Sequence, residues 1–303
     1  RTMPQWKGKT EGGDANQSFL IRLLKKVDVR VIYCFLPFAV IYYLIAARKR
    51  AGAIYSYLRH RQGFSVWRSA IGTYRNHLLF AKFLMDRFYI YAGHKDKFNS
   101  ASLEKDVVVK YFSTDKPLVM VSAHVGNFEI SSYLCGKLPK KLNVLAFAGE
   151  TEQMQKFRSS AMEENNIEMI PVREDMEHIF RLNDVIREGE AITMAGDRVF
   201  TGRRNHKFMF LGKEALFPTG IYTIAERYKA DIIAMFVLGT KKNFNYKIHV
   251  EPITIDPALK GRDERARAYG QKYVDILEKV IKENPLQWFN FYDFWNIEGD
   301  ENN

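Results

Sequence analysis

"KPLVMVSAHVGNFEISSYLCGKL", residues 116–138, decides the fold. Its opening part, 116–123, begins at a proline and is apolar and β-branched, which reads as a buried strand. From Asn127 onward the spacing is helical, with Asn127 as the N-cap and Glu129 in the first turn, where free amides and the helix dipole favour a carboxylate. His124 therefore ends a strand, Glu129 begins a helix, and Gly126 makes the turn between them. Neither a helix nor a strand puts residues five apart on one face, so the bend is what lets the Glu129 carboxylate reach the His124 ring. A carboxylate on one imidazole nitrogen fixes the tautomer, leaves the other nitrogen as a base, and stabilises the imidazolium. The pair is a catalytic triad without its serine, and the missing nucleophile can be a hydroxyl of the substrate. Taken alone, a histidine at a strand end is more often a hydrogen-bonded structural residue.

Strand-like runs continue through "LNVLAFA", "IEMIPV", "AITMAG", "ADIIAMFVL" and "YKIHVEPITI". They alternate with helical stretches over 150–164, 175–188, 219–229 and 263–283. The expected fold is α/β, with a mixed, largely parallel sheet flanked by helices. Sites in such folds gather where strands end and helices begin, the position inferred for His124.

The front of the chain differs. "VIYCFLPFAVIYYLIAA", 31–47, carries no charge over about 17 residues, near the lower limit for a membrane-crossing helix. Lys25, Lys26 and Arg30 precede it and "RKR" follows, so the positive-inside rule leaves its orientation open. A cleaved signal peptide fits poorly, because the charged leader is too long. An anchor or a deeply seated interfacial helix is favoured over a buried soluble helix, and Pro37 is expected to kink it. Residues 77–93 are amphipathic and suit either the membrane interface or packing against the core. The organisation expected is a polar leader over 1–24, a helical membrane-associated region over 25–100, and an α/β domain over 101–303.

A net charge of +11 across 303 residues suits an anionic partner: nucleic acid, an acidic carrier protein or an anionic membrane. Two cysteines far apart, Cys34 and Cys135, argue against a disulfide framework or a thiolate metal site. No G-x-G-x-x-G, Walker A, G-x-S-x-G, H-E-x-x-H or C-x-x-C motif occurs, so no cofactor and no metal is expected. No nucleic-acid module is recognisable either, and a membrane-prone helix sits badly beside one.

Three further patches are candidates for binding. In "AGDRVFTGRR", Asp197 and Arg198 suit a structural ion pair, while Arg203 and Arg204 offer bidentate donors for phosphate or carboxylate, although an arginine pair in a loop is more often solvated. Arg173 follows "IEMIPV" at a strand end. Thr219 and Gly220, at the helix start after "FPTG", can approach a ligand or simply cap.

These blocks together, H-x4-E after a strand, the "GD" of "AGDR", "F-x-F-L-G…P-T-G" and the ending "NPLQWFNFYDFW", occur in the same order in the bacterial lipid A biosynthesis acyltransferases. The chain resembles these lauroyl and myristoyl transferases of the lysophospholipid acyltransferase superfamily over nearly its whole length. The resemblance implies a glycerolipid acyltransferase-like fold and an enzyme of the bacterial inner membrane, active on the cytoplasmic side. It implies transfer of a fatty acyl chain from acyl carrier protein or coenzyme A to a hydroxyl of a lipid acceptor, with His124 as general base and Glu129 as its carboxylate. It also implies that Arg173, Asp197 and Arg198 fall near the acceptor or donor phosphate site, and Asn127 is a further candidate for substrate binding. Better-known members often carry Asp-Gln where this chain has Asp197-Arg198, which leaves open ornithine lipids, polyene pigments or lysophospholipids as acceptor. A non-catalytic basic protein of the membrane surface is the contrasting possibility.

Overall fold

The computed structural model describes residues 14–100, 104–135, 138–147, 166–172, 177–199 and 204–295. The expected helix over 150–164 lies outside the described residues. Four helices come first: α1 (Asp14–Leu24), α2 (Val29–Ala46), α3 (Arg48–His60) and α4 (Val66–Tyr91). The leader is thus helical from Asp14, because Ile21 and Leu24 give α1 a face that is fully buried. The hydrophobic stretch is α2, with Asp28 capping its start by accepting from the Arg30 amide. The amphipathic stretch is the second half of α4, which packs on the rest of the protein.

The remainder alternates as the pattern predicts. It runs β1 (Asn99–Ser100), α5 (Glu104–Phe112), β2 (Leu118–Ser122), α6 (Ser131–Cys135), β3 (Leu142–Phe147), β4 (Ile167–Val172), α7 (Glu177–Arg187) and β5 (Ala191–Ala195). Then follow β6 (Asn205–Phe210), β7 (Lys213–Pro218), α8 (Gly220–Arg227), β8 (Asp231–Gly239), β9 (Asn245–Pro252) and α9 (Arg262–Glu283). Seven strands form one sheet in the order β1-β9-β8-β2-β5-β3-β4, parallel at every junction except β8/β9. β6 and β7 form a separate hairpin. Its turn, Leu211-Gly212, has φ of 51° and 77°, the double left-handed conformation that matches strand twist.

Both faces of the sheet are covered, so its central strands are apolar throughout rather than alternating. On β2, Val119 and Val121 enter one core, with α7, α8, α9 and the β6–β7 hairpin; Leu118 and Met120 enter the other, with α1, α2, α4 and α5. β8 divides likewise, Ile232, Ala234 and Phe236 against Ile233, Met235 and Val237. This sandwiching fixes the register of β2, since a one-residue slip would exchange its two faces. Trp288, Phe289, Phe294 and Trp295 of the C-terminal segment are all buried in these cores.

Candidate active site

His124 stands two residues beyond the end of β2, at the carboxyl edge of the sheet. The C-terminal segment runs antiparallel beside its loop: Val125 bridges Trp288, the Gly126 amide donates to Gln287 O at 2.8 Å, and the Phe289 amide donates to His124 O at 2.8 Å. Gly126 also pairs with β8 at Val237 and has φ of 65°. A Cβ there would collide with the Val237 carbonyl oxygen. A glycine is therefore required both for the left-handed turn and for the close approach.

Asp197 occupies the matching place beyond β5. Because β2 and β5 are parallel with Ser122 opposite Ala195, two further residues on each strand bring His124 and Asp197 side by side. Asp197 Oδ1 lies 2.8 Å from His124 Nδ1, and Oδ2 accepts from the His124 amide at 3.0 Å and from Trp288 Nε1 at 3.1 Å. The Asp197 side chain is wholly buried. Burial by itself pushes this carboxyl up, but the His124 charge and hydrogen bond, with Arg198 and the Trp288 N–H, outweigh it and hold the carboxyl well below its usual range. Asp197 thus stays ionised and keeps a proton on Nδ1. Among the described residues no hydrogen bond engages Nε2, and the ring is 27% exposed with Phe128 against its edge.

Glu129, the carboxylate expected on the ring, lies in a short 3-10 turn over Phe128–Ile130 and is paired with Arg87 of α4. The carboxylate on Nδ1 is Asp197, because the helix expected from Asn127 begins as this tight turn and α6 follows only at Ser131. Asn127 does not cap with its side chain. It is buried, and its Nδ2 donates to Phe83 O at 3.2 Å and to the Tyr246 hydroxyl at 3.1 Å. The Tyr246 hydroxyl in turn donates to Asp86, which also receives the Tyr33 hydroxyl from α2. Consecutive residues of α4, Asp86 and Arg87, therefore hold the His124 loop at two points. Burial pushes the Asp86 carboxyl up to about 6, against the opposing pull of the Tyr246 and Tyr33 hydroxyls and of Lys82.

Arg198 is fixed by the C-terminal segment. It donates to Asn290 Oδ1 at 2.9 Å and to Phe289 O at 3.4 Å, with its guanidinium 4.6 Å from the centre of the Tyr292 ring. Arg204 is exposed just before β6, while Arg173 and Arg203 lie outside the described residues. Thr219 is fully buried, its hydroxyl 2.7 Å from His206 Nδ1, and it makes no side-chain cap, while at Gly220, the first residue of α8, an added Cβ would meet no described atom within 4 Å. Sequence reasoning missed Arg87, Asp86, Tyr246 and Trp288 as partners of the loop. The one available signal was that "VSAH" and "MAGD" both place a polar residue two positions after an apolar run. Among the described residues no group of three or more His, Cys, Asp or Glu is gathered as a metal site requires.

A histidine with one nitrogen bonded to a buried carboxylate, at the carboxyl edge of a mostly parallel sheet in an α/β domain, has the geometry that general-base chemistry needs. The model of the bacterial lipid A biosynthesis acyltransferases matches residues 80–296, a span that includes the second half of α4, the His124 loop, Asp197 and the C-terminal aromatics, and the chain belongs to that family. Comparison with curated proteins gives no significant match.

Proposed function

We propose that the protein moves a fatty acyl group from a thioester, carried by acyl carrier protein or coenzyme A, to a hydroxyl of a lipid A precursor. The observation that carries this reading is the His124–Asp197 hydrogen bond with Nε2 left open. Nε2 takes the proton of the acceptor hydroxyl as its oxygen attacks the thioester carbonyl carbon. Collapse of the tetrahedral intermediate breaks the carbon–sulfur bond, and the imidazolium returns the proton to the departing thiolate. A thioester is already activated, so positioning and proton transfer suffice, and no acyl-enzyme is required. Asp197 stabilises the imidazolium between the two steps. Glu129 and Arg87 hold the loop, Arg198 offers fixed positive charge to an anionic group of a substrate, and Asn127 acts through Tyr246 rather than by touching substrate. The site works at the cytoplasmic side of the bacterial inner membrane, where acyl thioesters are made.

Radiolabelled acyl carrier protein and coenzyme A thioesters, offered with a lipid A precursor and with ornithine lipid, polyene pigment and lysophospholipid acceptors, test this directly. Label in the lipid A precursor is expected. Label confined to another acceptor would keep the chemistry and replace the acceptor; binding of lipid without transfer would leave the non-catalytic reading.

A further inference from the structure

α2 precedes the span that matches the family, yet one of its side chains is bonded into the network behind the His124 loop. The Tyr33 hydroxyl donates to one oxygen of Asp86, and the Tyr246 hydroxyl of β9 donates to the other. Tyr246 in turn accepts from Asn127 Nδ2 at 3.1 Å, and the Asn127 amide donates to Val237 O at 2.7 Å. Asn127 stands three residues after His124, directly behind the left-handed turn at Gly126. Asp86, Tyr246 and Asn127 are all buried.

The bonds of this chain converge on Asp86: Asn127 donates to Tyr246, Tyr246 donates to Asp86, and Tyr33 donates to Asp86 from α2. Burial above all, reinforced by the Asp86 charge, raises both phenols well above their ordinary values, so each keeps its proton. Asp86 is the member that titrates. It faces Tyr33 from α2, Lys82 one turn earlier on α4, Tyr246 from β9 and Lys242 in the turn before β9, while Asp28 and Arg30 act on Tyr33 from the start of α2. An ionised carboxylate only accepts, and it satisfies both phenols. A protonated one must also donate, from one oxygen or the other. With Tyr33 present the proton can sit on Oδ1 and be accepted by the Tyr33 oxygen, whose own proton turns to solvent because Tyr33 is part-exposed. Oδ2 then receives Tyr246 as before. Without the Tyr33 oxygen, the proton's remaining acceptor is Tyr246, which reverses that bond and sets it against the donor from Asn127.

We infer that Tyr33 is a positioning residue for the reaction: from a helix outside the family match, its hydroxyl keeps Asp86 an acceptor for Tyr246 and so holds Asn127 and the loop that carries His124. It acts through Asp86, Tyr246 and Asn127. The kinetic arm of its test rests on the acyl-transfer reading, and the arm that follows the loop does not.

The test compares the full chain as wild type, Tyr33→Phe, Asp86→Asn and the double variant, each checked for folding by circular dichroism. Tyr33→Phe removes one oxygen and keeps the ring beside Phe244. Relative to wild type at the same pH, it should lower kcat at least about fivefold near pH 6.5, recover to within about twofold near pH 8.5, and leave KM unchanged. The recovery is expected because Asp86 loses a bond that pulls its value down, so it titrates above the wild-type value of about 6 and is fully ionised only at higher pH. In the Asp86→Asn background, where that group no longer titrates, adding Tyr33→Phe should bring no pH-dependent change. Amide hydrogen exchange over residues 124–129, taken at each pH as the ratio of variant to wild type, should rise and recover in the same way. A kcat equal to wild type at both pH values, a loss of the same size at both, a change confined to KM, or unchanged exchange in the loop would each overturn the inference. Tyr246→Phe removes the middle link and should lower kcat and loosen the loop at both pH values, so an intact rate there would overturn it even if Tyr33→Phe failed to fold. A loop that loosens as expected in a protein with no transfer activity in the wild type would count against the acyl-transfer reading alone.

Discussion

Asp197 holds His124 twice, accepting from the ring Nδ1 at 2.8 Å and from the backbone amide at 3.0 Å, so one buried carboxylate fixes both the ring and the chain that bears it. Replacing it by asparagine keeps the shape and removes the charge. Asp197→Asn should lower kcat/KM by about 10² to 10⁴, because the imidazolium formed on proton transfer loses its counter-charge.

The same carboxyl sets a pH dependence of stability. Its folded value is depressed below the ordinary 3.8, so its contribution is fully present above about pH 4 and is lost as pH falls through the folded value. Acid unfolding followed by circular dichroism should show that loss in the wild type and not in Asp197→Asn.

Glu129 and Arg87 form a pair whose side chains are 26% and 14% exposed. Glu129→Gln and Arg87→Met should each cost roughly 1–3 kcal/mol, and the double variant less than their sum, because each single change removes the partner of a partly buried charge. In kcat/KM, Glu129→Gln should cost less than Asp197→Asn does. The reverse order would return Glu129 to the ring as its carboxylate.

Asp86 runs with the opposite sign. Its folded value of about 6 stands above the ordinary 3.8, so the folded state binds the proton more tightly. Stability from this group is fully present below about pH 4 and is lost as pH rises through about 6. At neutral pH the buried carboxylate costs roughly 3 kcal/mol from this difference. Thermal melts at pH 5.5 and pH 8 should differ less in Asp86→Asn, which keeps hydrogen-bonding capacity toward the two tyrosines, than in the wild type.

Gly126→Ala should be among the most damaging single changes in the chain. The left-handed φ and the collision with the Val237 carbonyl oxygen act together, and a loss above about 3 kcal/mol is expected. Soluble yield and melting temperature would show it.

Much of this was legible in the sequence because the decisive signals are local. The apolar run before His124, the glycine behind it and the alternation of strands with helices report on neighbours within a few residues, and they place the histidine correctly at a strand end. The identity of its carboxylate is not local. It depends on β5 lying parallel beside β2 in one register, and only the folded sheet brings Asp197 to a residue 73 positions away. Glu129 was the natural sequence choice, being near and acidic. Yet a tight turn over Phe128–Ile130 replaces the expected helix start, and Arg87, on a helix that precedes the sheet, takes its charge. Asn127 was read as a cap for the same local reason and is instead drawn inward by Tyr246.

The most direct test of the central claim is single-turnover acyl transfer by detergent-solubilised protein beside its His124→Ala variant, with folding checked by circular dichroism. General-base catalysis by Nε2 predicts a variant rate lower by about 10² to 10⁴ with the fold intact. A folded variant that kept more than about a tenth of the wild-type rate would contradict His124 as the base.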